Sequence, residues 1–329
     1  MSAELRRQVA GAVRRVLGEP GGGLDAYGDP PGDPGLFGPG SIAWQVHSDL
    51  PSMLVGGISS LMLQALHPLA MAGVAQHSRY REDPLGRLQR TAAFVAGTTF
   101  GGRELAMGLI EQVRRVHLHV RGVARDGRPY RAEDPELLTC VHCAEVWSFL
   151  RSYQRYGPRP LLREEKDRYL AEVAQIARLL GADGVPESVD DVRAYLRRTR
   201  GSLEVTPEAL EAVAFLRRPL GPAGSGALGH RVVVEAAEDL LPEVARRALG
   251  ARPATPIGRV RARLAMASLS GLIRWSVGPS VVLQAASARA RARPESPPLT
   301  GRARHAAWRP GRRRDAPAPP GTRSRASAR

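Results

Sequence analysis

From Leu50 to Ser78 the chain carries no Asp, Glu, Lys or Arg. An uncharged run of that length belongs either in a bilayer or in a substantial protein core. Its polar content argues for the core: Ser52, Ser59, Ser60, Gln64, His67, Gln76 and His77 all fall within it. Pro68 follows His67 near the middle and breaks any single spanning helix. The run is therefore expected to form two buried helices, over 50–66 and 69–78. A membrane-associated reading is the alternative. With 329 residues, 43% of them hydrophobic, the chain can build a core large enough to hold such a pair.

The rest of the chain also reads as helical. A charged, amphipathic helix spans about 3–18, and a Gly/Pro-rich loop follows it to about residue 41. Asp83-Pro84 opens a helix that reaches Gly101-Gly102. Leu105, Ala106, Leu109, Ile110, Val113, Val116 and Val120 then fit a 3.6-residue period over about 103–121. Asp126-Gly127 is a hairpin-turn signal, so a short two-stranded excursion is expected near 120–132. Further helices are expected from Asp134-Pro135 to Tyr156, over 162–180, from Ser188 through Leu196, from Thr206-Pro207 to about Arg218, and over 229–249 and 257–277. No segment alternates like a strand for long, and no repeat is present. The predicted fold is all-α: one large helical domain over 30–284, preceded by the helix and loop of 1–29. Residues 285–329 are Arg/Pro/Ser/Ala-rich and are predicted to be disordered.

The formal charge of +16 would by itself suggest nucleic acid. Yet 12 arginines against Glu295 and Asp315 fall within 281–329, so the tail holds most of the excess. Lys166 is the only lysine beside 47 arginines. Two cysteines exclude a disulfide-stapled secreted fold, and the N terminus lacks the apolar centre of a signal peptide. A cytoplasmic location is expected.

Several chemistries lack their residues. Cys140-Val-His-Cys143 is a lone CxxC without the second pair that structural zinc needs. Ala144, where attachment of c-type haem requires His, excludes that chemistry. No Glu has a His three residues later, as di-iron bundles require. There is no GxSxG, P-loop or dinucleotide fingerprint. Two buried cysteines on a helix is the expected reading.

The histidines carry more. His117 lies on the apolar stripe of its helix, four after Val113 and seven after Ile110, whereas His119 is turned to water. His142 follows Leu138 by four on another apolar stripe, and His67 and His77 lie in the uncharged run. Arg87, Arg90 and Thr91 share one helix face. Several helices thus each send a polar side chain inward. The ordinary reading is a set of core hydrogen bonds. The functional reading is a polar-lined cavity in a helical domain, where haem and metal sites are commonly built.

The segments LMLQALHPLAMAGVAQHSRYREDPLGRLQRTAAFV and VRRVHLHVRGVARDGRPYRAEDPELLTCVHCAEVWSF resemble the MpaB/rubber oxygenase catalytic-domain family, which includes the latex-clearing proteins. The shared pieces are Leu-His-Pro at 66–68, Gly-Val-x-x-His-Ser at 73–78, Asp83-Pro84 and Arg-x-x-x-Thr at 87–91. They continue with His-x-x-Val-x-Gly at 117–122, Asp-Gly-x-x-Tyr at 126–130 and Asp-Pro-x-Leu-Leu-x-x-Val-His at 134–142. The resemblance spans about 30–280. It implies a helical domain binding haem b (iron) noncovalently through one axial histidine, for which His117 is the candidate and His142 the next. Arg87, His142 and His77 join His117 in the implied cofactor-binding set, and Arg87, Thr91 and His67 are the implied catalytic residues. Latex-clearing proteins carry a Lys where this chain has Arg90, and an Arg stays protonated and does not ligate iron. The sixth iron position is then open, water-filled or taken by a residue such as His67. The implied reaction is oxidative, using O2 and an outside electron donor on an apolar, lipid-like or unsaturated substrate. Arg87 and Thr91 would supply hydrogen bonds on the distal side.

Two other function classes compete with the oxygenase. One is a non-catalytic helical protein that binds haem or a small molecule. The other is a nucleic-acid-associated protein acting through the basic tail, although the helical body offers no recognition element and no specific nucleic acid is expected. Peripheral membrane contact stays open.

Overall fold

The computed structural model describes residues 3–18, 23–219, 225–251 and 255–292. The expected disorder beyond 292 lies outside the described residues. The fold is all-α apart from one small hairpin. In chain order the helices are α1 (Ala3–Leu17), α2 (Asp25–Gly28), α3 (Ile42–His47), α4 (Leu50–Ala65), α5 (Pro68–His77), α6 (Pro84–Phe100) and α7 (Arg103–His117). Strands β1 (Arg121–Val123) and β2 (Pro129–Arg131) pair antiparallel, Gly122 opposite Tyr130. Then come α8 (Pro135–Tyr156), α9 (Arg163–Leu180), α10 (Val189–Arg198), a 3-10 turn over 199–202, α11 (Pro207–Arg217), α12 (Ser225–Leu240), α13 (Glu243–Ala248), α14 (Pro256–Val277) and α15 (Val281–Arg291).

The helix starts follow local chemistry. The Asp49, Asp83 and Asp134 carboxylates accept from first-turn amides of α4, α6 and α8, each ahead of a Pro that has no amide to satisfy. The uncharged run divides as expected. His67 caps α5, Pro68 begins it, and the two helices meet at 102°. Among the described residues no single helix is long and apolar enough to cross a membrane. Pro242 splits the expected helix over 229–249 into α12 and α13.

Helix α4 is the hub. It crosses α8 so closely that a Cβ on Gly56 would lie 2.8 Å from Phe149 Cδ1. One core gathers Val55, Met62 and Leu66 with Val213, Ala237 and Met266. A second joins α3, α8 and α9 through Val46, Phe149, Leu150, Tyr169 and Leu170. Helix α1 packs on α14 and α6, so the N-terminal helix is part of the same body rather than a segment apart.

Three elements depart from the sequence reading. The Gly/Pro-rich loop contains α2 and leads into α3. Helix α7 stops at His117, four residues earlier than expected, in a tight turn where the Val120 amide donates to the His117 carbonyl. Regular structure also runs past 284. Helix α15 is anchored by Arg289, 1% exposed, whose guanidinium donates to the carbonyls of Asp33 (2.9 Å) and Tyr27 (2.7 Å). Disorder from 285 is therefore corrected for residues 285–292.

Candidate active site

The first turns of α6, the last turn of α7 and the turn after β2 bring Arg87, His117 and Glu133 within electrostatic reach of one another, and one face of α8 carries a second group, His142 and Glu145. Asp83 fixes the start of α6 and also pairs with Arg90 at 3.3 Å on the outside. Arg87 sits one turn in, and Thr91 one turn further on the same face. The Thr91 hydroxyl donates back to the Arg87 carbonyl at 3.1 Å. In α7 the inward stripe runs from buried Ala106 and Ile110 to half-buried Val113 and His117, as its periodicity predicts. Ending α7 at His117 places that imidazole where the chain turns into the hairpin.

Arg87 and His117 face each other electrostatically. Desolvation lowers the His117 pKa, the Arg87 guanidinium lowers it further, and Glu133, beyond β2, opposes both. The ring is therefore neutral at pH 7. Arg87 itself has a lowered pKa, from desolvation first and then from Arg90, while its side chain retains accessible surface. Arg87 is an exposed side chain. Residues Thr91–Ala96 are half-buried all the way round α6, and neither α6 nor α7 makes more than isolated backbone contacts with α8.

Five of the seven described histidines have hydrogen-bond partners, and the exceptions are His117 and His142. The His117 Nδ1 and the His142 Nε2 are buried without a partner, and neither ring makes another hydrogen bond among the described residues. Buried polar atoms are nearly always paired, which sets these two imidazoles apart from the other five histidines. Glu133 Oε2 is likewise buried and unpartnered. His142 has its pKa pushed down to about 4, by burial first and by Arg178 second. One turn on, Glu145 is pushed up to about 7 by burial. With Leu138 and Phe149 these two form one face of α8.

The other expected site residues go elsewhere. His67 caps α5, its Nδ1 accepting from the Ala70 amide at 3.4 Å. It lines a small cavity of about 20 Å³ with Gln64, Cys140 and Val141, and neither Arg87 nor His117 borders that cavity. His77 Nε2 bonds the Tyr130 hydroxyl at 3.1 Å and Tyr130 donates to Gln76, so His77 holds the hairpin on α5. The reduced cysteines are buried beside Tyr195, and burial raises Cys140 to about 11 and Cys143 to about 12, which leaves them unreactive.

Glu133 and Glu145 were not foreseen from the sequence. A glutamate in a turn or on a long helix ordinarily reads as solvated, and only the i, i+3 spacing from His142 could have marked Glu145. Nor was His47, whose nitrogens bond Thr99 Oγ1 (2.7 Å) and Tyr169 Oη (3.0 Å) and whose pKa burial pushes down to about 3.

Residues 44–275 match the family described as ER-bound oxygenase mpaB/B′/Rubber oxygenase, catalytic domain. The chain belongs to this family. It is an oxygenase catalytic domain, and the matched region contains every candidate residue above. No curated protein and no solved structure gives a significant match. Among the described residues no three His, Cys, Asp or Glu side chains cluster closely enough to hold a metal ion. His117, with its buried Nδ1 unpartnered, is the imidazole available to hold a haem iron.

Proposed function

We propose that this protein is a haem-b-dependent oxygenase acting with O2 on an apolar, lipid-like substrate. The observation that carries the reading is the unpartnered, neutral His117 beside Arg87 in a member of an oxygenase family. Bound haem would supply the redox centre for O2 activation.

The chain's own residues have separable tasks. His117 offers a lone pair to iron, because both Arg87 and burial disfavour its protonation. Arg87 keeps its positive charge, since even a lowered guanidinium pKa stays far above neutrality. It can stabilise negative charge that develops beside it. Thr91 gives its proton to the Arg87 carbonyl and so offers its oxygen as an acceptor, unless the hydroxyl turns. Glu145, near half-protonated at neutral pH, can hold a proton on the His142 face of α8. The half-buried Thr91–Ala96 segment, mostly Ala, Val and Phe, suits an apolar substrate.

His142 is the second candidate ligand, favoured by its own unpartnered Nε2. A binding protein without turnover would share the same residues, and oxygen uptake separates the two readings. Haem-loaded protein given an electron donor and an alkene-bearing lipid should consume O2. Arg87→Gln should lower that rate on the order of a hundredfold. Lipid binding with no O2 uptake would leave the binding-protein reading in its place.

A further inference from the structure

Most of the outward face of α14 is uncovered among the described residues. Ile257 is 82% exposed, Val260 55%, Leu264 65% and Trp275 39%. They lie on one side of the helix, with Ala267, Ser268 and Gly271 completing the stripe. Residues 257 to 275 cover about 27 Å at 1.5 Å per residue. The opposite side, with Met266, Ser270 and Ile273, is buried in the body. A soluble helix normally reverses this pattern by putting charge on its outer face. Here the one charged side chain on the stripe is Arg261, exposed and without a partner among the described residues.

The surroundings are cationic. Of the ten arginines between residues 244 and 294, Arg246 and Arg263 pair with Asp239, Arg247 with Glu243 and Arg274 with Asp49, and Arg289 is buried, which leaves Arg259, Arg261 and Arg291 without an acidic partner among the described residues. Arg6 of α1 lies over the Trp275 ring, 5.8 Å from its centroid. Glu4 of α1 and Glu235 of α12 are already paired with Arg7 and Arg231. We propose that α14 is a membrane-docking helix that lays Ile257, Val260, Leu264 and Trp275 into the surface of an anionic phospholipid bilayer.

Charge complementarity selects this occupant. An apolar stripe edged by arginine and closed by tryptophan is the pattern of a helix lying in the interface plane. The last 37 residues, 293–329, have only Leu299 and Trp308 as large apolar residues and carry excess arginine, so they are poor cover for the stripe. A second copy would set the same unpaired arginines, Arg261 among them, against each other. An acidic bilayer meets both the apolar and the cationic demands. The inference goes beyond the oxygenase reading and stands without it, because docking is read without haem or turnover.

The test is co-sedimentation of the full chain with vesicles of phosphatidylcholine alone, or of phosphatidylcholine mixed with phosphatidylglycerol. Wild type should bind the mixed vesicles, with a blue shift of tryptophan fluorescence that Trp275→Phe reduces. The Ile257→Asn/Leu264→Asn variant should bind at least about tenfold more weakly, with unchanged helicity and Tm. Ile257→Asn alone, at the most exposed position, should show part of the loss and serves if the double variant misfolds. Equal binding by wild type and the stripe variants would assign attraction to the basic tail and overturn the proposal. So would absence of vesicle binding, or a dimer in sedimentation velocity that the same substitutions dissolve without any effect on vesicles.

Discussion

His47 and His117 show two fates of a buried imidazole. His47 has both nitrogens satisfied and is a packing residue, whereas the buried Nδ1 of His117 has no partner. Periodicity turned both His117 and His142 inward, but it could not tell a satisfied ring from a bare one, because partners come from other elements. Glu145 was less legible still, since its consequence depends on burial by α9 and α3. Its raised pKa has a signed effect on stability. A carboxyl held near 7 in the fold and 4.5 when unfolded stabilises fully below 4.5, and that contribution is lost as pH rises through 7. Glu145→Gln should therefore melt higher than wild type at pH 8, by on the order of 1–3 kcal/mol, and equally near pH 4. A Tm difference independent of pH would contradict the assignment. His47 acts in the other direction: depressed to about 3, it costs stability as pH falls below 6.5.

At the scale of elements, the Asp-Pro starts of α6 and α8 were readable because a cap and its first turn are neighbours in sequence. The same holds for the break at His67-Pro68. Helix α15 was not readable, because a short Ala/Arg segment becomes ordered only when Arg289 reaches carbonyls more than 250 residues away. The crossing of α4 on α8 is equally long-range, and it depends on one missing side chain. A Cβ at Gly56 would meet Phe149 Cδ1 at 2.8 Å, Phe149 Cα at 3.0 Å and the Ser148 carbonyl at 3.2 Å. The last two are backbone atoms and cannot swing aside. Gly56→Ala should destabilise by about 1–3 kcal/mol, read as a lower urea midpoint with unchanged slope. A midpoint at or above that of wild type would show that the crossing has slack.

Across the whole molecule, the C-terminal helices close the body that α4 begins. Arg274 of α14 donates from Nε to Asp49 Oδ1 at 2.8 Å, from Nη2 to Asp49 Oδ2 at 3.0 Å, and to the Tyr156 carbonyl. Asp49 also caps α4, so one largely buried carboxylate ties α4, α14 and the end of α8 together. Asp49→Ala should cost about 3 kcal/mol or more, because it strands the Arg274 charge and removes the cap together. Thermal melts should show one cooperative loss rather than a separate release of α14, and two separated transitions would contradict this. Charge read as a whole-chain sum pointed to nucleic acid. Read by position, much of it is a basic tail, while the arginines of α13 and α14 are mostly paired with Asp49, Asp239 and Glu243, and neither group lies among the site residues. The central claim concerns one atom pair, the iron and an imidazole nitrogen of His117, and a visible spectrum reads it directly. Wild type reconstituted with haem b should show a Soret band at about one haem per chain. His117→Ala should lose that band while keeping its helicity, and His142→Ala should retain it. Equal haem loading and an unmoved Soret band in His117→Ala would contradict the account.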